Sequence, residues 1–138
     1  MENCVFCAIV AGTIPAHKVY EDDAVVAFLD AKPVNVGHTL VVPRGHFADL
    51  TQTPDDVLSQ LFPVVKRVAL AAVAATGAAG CNVSANNGAA AGQVVFHTHI
   101  HVIPRVVGDG LTHWPKREVS PEEMSRIAEA VRKLLEPL

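Results

Sequence analysis

A chain of 138 residues fits one domain, here expected over 1–138. Half of the residues are hydrophobic and 18% are charged, so a core can form, and a formal charge of −3 gives no electrostatic reason to expect a nucleic-acid or membrane partner. Three cysteines argue against a disulfide framework; with no basic stretch in MENCVF and an apolar run at 68–73 too short to span a bilayer, they predict a cytoplasmic protein.

The first predicted element is a short helix through CVFCAIVA, capped by Asn3 and ended by Gly12. Strand-like runs follow at 17–21 and 24–29, split by Asp22 and Asp23. Residues 31–38 read as a loop punctuated by Pro33, Asn35 and Gly37, and 38–43 as a strand closed by Pro43. Thr53-Pro54-Asp55-Asp56 opens a long helix that reaches Gly77: Thr53 supplies a capping hydroxyl and the acids sit near the positive end of the dipole. Pro63 inside it predicts a kink or a short break. A strand at 81–85, a glycine-rich loop at 86–93 and a strand at 94–104 come next. Ser120 caps the last helix, with Glu123 at the capping-box position, and Met124, Ile127, Ala128, Val131, Leu134 and Leu135 form one apolar stripe. The fold class is α+β, a mainly antiparallel sheet with a long central helix and a C-terminal helix.

Chemistry concentrates in HTHIHVIPR, residues 97–105. On a strand His97, His99 and His101 share one face, and Val95, Phe96, Thr98, Ile100 and Val102 take the core-facing side. Same-face neighbours lie about 6.6–6.8 Å apart, so the outer histidines stand about 13 Å apart. Two neighbours can reach one tetrahedral zinc, but hardly all three, so at least one imidazole is free for other work. Imidazole is nucleophile, acid or base near neutrality. The preceding loop, Asn86-Asn87-Gly88 and Gly92-Gln93, can approach an anion with bare backbone N–H groups.

Cys4-Val5-Phe6-Cys7 reads as half a zinc site, a redox pair or two buried thiols. A redox CxxC normally follows a strand in a βαβ unit, which is lacking here. On composition alone, Cys81 and the histidines at 17, 38, 46, 97 and 113 can all complete a metal site.

GQVVFHTHIHVIPR resembles the His-φ-His-φ-His-φ-φ signature of the histidine triad (HIT) family of nucleotide hydrolases, φ being apolar. CVFCAIVAGTIPAHKVYEDDAVVAFLD is similar to the family's N-terminal segment, GHTLVVPRGH to its middle one and THWP to one branch's tail. Thr98, in the first φ position, is a mild departure.

The resemblance implies a HIT-like fold and a reaction at the α-phosphorus of a nucleotide, through a nucleotidyl-histidine that water hydrolyses. It makes His99 the nucleophile and His101 the group that hydrogen-bonds the phosphoryl oxygens or helps the leaving group. Asp30 would bind the ribose hydroxyls; Val5, Phe6, Ile9, Phe28 and Ala31 would enclose the base of a purine nucleotide. Asn86, Gly92, Gln93 and Val94 would complete the nucleotide site. Family members often carry Ser or Thr at position 94, so the valine alters the leaving-group side. His38 would lie near the active strand, positioning or packing. Similarity to zinc-containing bacterial members implies a structural zinc on Cys4, Cys7, His46 and His97. A homodimer is implied too, with the alanine-rich face around Ala69–Ala75 able to pack on a copy, and Trp114 either reaching the partner's site or plugging its own subunit.

The expected substrates are nucleoside phosphoramidates or dinucleoside polyphosphates. Three other readings stay open: phosphorolysis of a dinucleoside polyphosphate, a zinc hydrolase whose strand histidines hold a catalytic metal, and a nucleotide-binding protein with little turnover.

Overall fold

The five strands among the described residues of the computed structural model pair only antiparallel, in the spatial order Lys18–Glu21, Val25–Leu29, Thr39–Pro43, Ile100–Arg105 and Gly80–Ser84. Described are residues 3–135; Met1, Glu2 and 136–138, with the outer bounds of the expected domain and the start of MENCVF, lie outside them. In chain order come α1 (Val5–Ala11), β1 (Lys18–Glu21), β2 (Val25–Leu29), β3 (Thr39–Pro43), α2 (Asp55–Thr76), β4 (Gly80–Ser84), β5 (Ile100–Arg105) and α3 (Pro121–Leu135).

Alternation in the inner strands sorts their side chains between two cores. Val25, Ala27, Val41, Ile100 and Val102 face α2, which brings Leu61, Val64, Val65 and Val68. Val26, Phe28, Leu40 and Val42 face α1, which brings Phe6 and Ile9. Helix α2 is long and apolar enough, by length and composition, to cross a membrane. Here its buried stripe covers the sheet, while Lys66 and Arg67 stand on its outer face. Of the kink or short break expected at Pro63 the break does not occur: the helix runs on through an exposed proline, whose missing N–H leaves the Ser59 carbonyl, on an exposed residue, without its helical partner.

Several boundaries move for identifiable reasons. The cap of α1 is Cys4, not Asn3: its sulfur accepts from the Cys7 N–H at 3.4 Å. Thr53 does not cap α2, whose N-cap is Pro54. Its hydroxyl is buried, donating to the Asp49 carbonyl at 2.8 Å and meeting the Thr98 hydroxyl at 2.7 Å. Strand β5 starts at Ile100, not at 94. Its ladder with β3 stops at the Val41–Ile100 pair and its ladder with β4 at Ser84–His101, and residues 94–99 join neither. They stay tied through the Thr98 N–H, which donates to the Phe47 carbonyl at 2.8 Å. Val95 packs with Phe6 on the histidine side and Phe96 is half-exposed, so neither joins the α2 core as expected.

At α3 the Ser120 hydroxyl accepts from the Glu123 N–H at 3.2 Å, while the Glu123 carboxylate pairs with Arg126. Its apolar stripe lies in the open, Leu134 being 80% exposed and Met124 60%.

Candidate functional site: two histidine clusters either side of Phe6

The alternation of 97, 99 and 101 survives the loss of ladder pairing. Thr98 and Ile100 are buried towards α2, and the three rings turn to the α1 side. There Phe6 stands edge-on to both His97 (6.1 Å between centroids) and His99 (5.0 Å), and divides the face into two clusters.

The first cluster joins Cys4, Cys7, His46 and His97, whose donor atoms all lie within 4.8 Å of one another. The His97 Nδ1 is 3.5 Å from each sulfur, and the His46 Nδ1 is 3.4 Å from the Cys7 sulfur. Tetrahedral bonds of about 2.3 Å to sulfur and 2.0–2.1 Å to nitrogen place S and N about 3.6 Å apart, so two thiols and two imidazoles fit zinc. The His97 ring donates from Nε2 to the Pro43 carbonyl at 2.8 Å, which leaves the Nδ1 lone pair facing the sulfurs. Burial lowers the pKa of His97 and, with Cys4 beside it, raises that of the Cys7 thiol.

The second cluster floors a cavity of about 940 Å³. Of the residues expected around a nucleotide, Phe28, Asp30, Ala31, Asn86, Gly92, Val94, His99 and His101 line it, as do Val5, Phe6 and Ile9. The His99 Nδ1 donates to the His97 carbonyl at 2.7 Å, so its Nε2 carries the free lone pair. The His101 ring lies 4.9 Å from that of His99 and its Nδ1 is 2.9 Å from the His38 Nε2. The Asp30 carboxylate stands 3.6 Å from the same His38 nitrogen. Burial lowers the pKa of His38 and His99; burial, then His99 and His38, takes that of His101 down to about 4. All three rings are therefore neutral at pH 7, which suits a nucleophile.

Gln93 is the expected residue that stays off the cavity. It is buried behind the loop, its amide nitrogen bonding the Ala48 and Val95 carbonyls (2.7 and 3.0 Å) and its oxygen accepting from the Gly88 N–H. Its own N–H goes to the Gly88 carbonyl, and that of Gly92 to Ala89. Gly92, at φ +93°, takes a turn that a side chain would strain. The Val94 side chain is 86% exposed. Trp114 is also exposed, at 84%, so within the subunit it plugs nothing.

Lys32 and His17 join the cavity lining without having been expected there. Lys32 was legible as a cation two residues past Asp30, whereas the link from His17 runs through sheet pairing, its carbonyl accepting from the Leu29 N–H.

The HIT domain family model matches residues 11–107. The chain belongs to the HIT family. A HIT family protein from Bacillus subtilis shares 41% identity and superposes with a TM-score of 0.91, covering 99% of both chains. A Zn-bound histidine triad family protein from Mycobacterium smegmatis is 43% identical with a TM-score of 0.76, over 97% of this chain and 96% of that one. Among curated HIT relatives, the adenylylsulfatase HINT3 of Arabidopsis thaliana is 41% identical over 139 residues, 96% of this chain and 70% of that protein.

Proposed function

We propose that the protein hydrolyses nucleotides at the α-phosphorus, with nucleoside phosphoramidates or dinucleoside polyphosphates as substrates and His99 as the nucleophile. The observation that carries this is the His99 tautomer: its Nδ1–H is held by the His97 carbonyl, which leaves a neutral Nε2 lone pair at the floor of a cavity of nucleotide size. The Nε2–P bond forms as the bond to the leaving group breaks, the electron pair departing with a leaving atom that takes a proton from water. Water then attacks phosphorus, Nε2 leaves with its pair and the surplus proton returns to solvent. Asp30 holds the ribose, the apolar wall of Val5, Phe6, Ile9 and Phe28 encloses a purine, and His101 hydrogen-bonds the phosphoryl oxygens or leaving atom. Asn86 and the backbone at Gly92 and Val94 surround the phosphate, on a loop that Gln93 positions from behind. The adenylylsulfatase among the relatives works on a substrate of comparable chemistry, an adenylyl group with an acidic leaving group.

Cys4, Cys7, His46 and His97 would hold a structural zinc. Four protein donors leave no open position for a water, which sets this cluster apart from a catalytic zinc and weakens the zinc-hydrolase reading. The exposed stripe of α3, with Leu70 at 65% on the outer face of α2, supports a homodimer. A single 1–138 domain and a cytoplasmic setting with no nucleic-acid or membrane partner complete the proposal.

His99→Ala tests it on adenosine phosphoramidates and diadenosine polyphosphates. We expect turnover to fall by at least about 10³-fold while the fold, read by circular dichroism, persists. Full turnover by the variant would remove the nucleophile assignment, and none by the unaltered protein on the whole panel would remove the hydrolase.

A further inference from the structure

The loop between β2 and β3 ends on His38, and its backbone reaches back to that ring: the Val34 N–H donates to the His38 Nδ1 at 3.0 Å. A backbone amide can only donate, so this nitrogen must keep its lone pair. A neutral His38 then carries its one proton on Nε2, which faces the His101 Nδ1 at 2.9 Å and the Asp30 carboxylate at 3.6 Å. The Asp30 carboxylate can only accept, which agrees with a proton on that nitrogen. The His101 Nδ1 thereby becomes an acceptor, and its own proton sits on Nε2.

We propose that the Val34 amide is a positioning group which, through His38, fixes His101 as an Nε2–H donor towards the cavity and denies this cluster to metal ions. No proton changes hands: the chain of bonds holds hydrogens at stated atoms, so His101 offers a hydrogen-bond donor without carrying a charge. The role given to that donor rests on the hydrolase reading; the tautomers do not. Because burial keeps all the rings neutral, the position of each single proton is the variable left to control.

The second half of the proposal follows from the same atoms. Asp30, His38 and His101 bring three ligand atoms within 4.8 Å of one another, a spacing that admits a transition metal. Binding through the His38 Nε2 would require its proton to move to Nδ1, head-on to the Val34 N–H. That contact opposes two donors, so the amide excludes the ion.

The loop is braced for the task. The Asn35 amide donates to the Pro104 carbonyl (2.9 Å) and to Asp109 (3.0 Å), and Arg105 locks Asp109 in turn at 2.8 Å. Gly37, at φ +89°, passes so near Thr76 that a Cβ would stand 2.7 Å from its methyl group.

Two measurements test the proposal. The first is the ring-nitrogen tautomer pattern by ¹⁵N NMR on histidine-labelled protein without substrate, at neutral pH. His38 and His101 are expected protonated on Nε2 and His99 on Nδ1; His101 protonated on Nδ1 would overturn the assignment. The second compares Val34→Pro, which deletes the N–H beside Pro33, with Val34→Ala, which keeps it. Val34→Pro is expected to lower kcat about 10- to 100-fold with KM within about twofold, and to gain inhibition by added Ni²⁺ that the unaltered protein lacks. Val34→Ala should restore both properties. Proline and alanine variants alike in turnover and Ni²⁺ response would refute the role of the amide. Should Val34→Pro not fold, the tautomers in the unaltered protein decide, and they do so even if no substrate is turned over.

Discussion

The two clusters beside Phe6 use the same side chain for opposite ends, and the backbone behind each ring makes the difference. Behind His97 stands a carbonyl, that of Pro43, which takes the far N–H and turns a lone pair towards two sulfurs. Behind His38 stands an amide, that of Val34, which takes the lone pair and turns an N–H towards His101. Proximity alone does not separate them, since each set of ligand atoms falls within 4.8 Å. A histidine cluster reads as a metal site or a hydrogen-bond chain only after the group behind each ring has been identified.

Removing the metal should break the contrast most. If the first cluster holds zinc, chelation at neutral pH lowers the thermal midpoint by about 10 °C or more, and added zinc restores it, because the ion joins α1 to the segments carrying His46 and His97. A midpoint indifferent to chelator, in protein found to contain no zinc, would refute the zinc reading of these four donors.

Acid sharpens the comparison from the other side. The buried ring of His38 and the half-buried ring of His101 refuse protons that the unfolded chain accepts near pH 6.5, so their contribution to stability is full above that value. It is lost as the pH falls towards about 4, where His101 titrates in the folded protein. The urea midpoint should therefore fall across this window by on the order of 2 kcal/mol of stability, and a midpoint constant from pH 6.5 to 4 would contradict it.

The smallest effect concerns Thr98, the spacer between the two clusters. Its hydroxyl meets that of Thr53, which already donates to Asp49, so Thr98→Val strips Thr53 of a donor and should cost about 1 kcal/mol in urea unfolding. Combined with Thr53→Val the loss should be less than additive; strict additivity would mean that the pair does not interact.

Much of this was legible in the chain, and what was not has a common cause. Alternating apolar residues located the first four strands within a residue, and His97, His99 and His101 face one way because parity survives even where pairing fails. The sequence closed β3 at Pro43 but could not show that its ladder with β5 stops at the Val41–Ile100 pair, which leaves residues 94–99 unpaired and put the predicted start of β5 six residues early. Thr53 looked like a cap because hydroxyl, proline and acids stood in the right order; its true partner is 45 residues away. Gln93 was hidden for the same reason: its bonds run to backbone atoms that the fold assembles. Val34 was hidden because it acts through its backbone N–H, which no side chain advertises, whereas Cys4, Cys7, His46 and His97 were readable from the family pattern.

The bonds of Gln93 have one further consequence. With its amide spanning Ala48, Val95 and Gly88, the shape of the glycine-rich loop is set from behind and owes nothing to the residue beside it. Position 94 hangs from that frame as an interchangeable fitting. A hydroxyl or an apolar group can be mounted there without retooling the fold, so under the proposed function the taste for one leaving group over another would drift through single substitutions while His99 and His101 stay as they are.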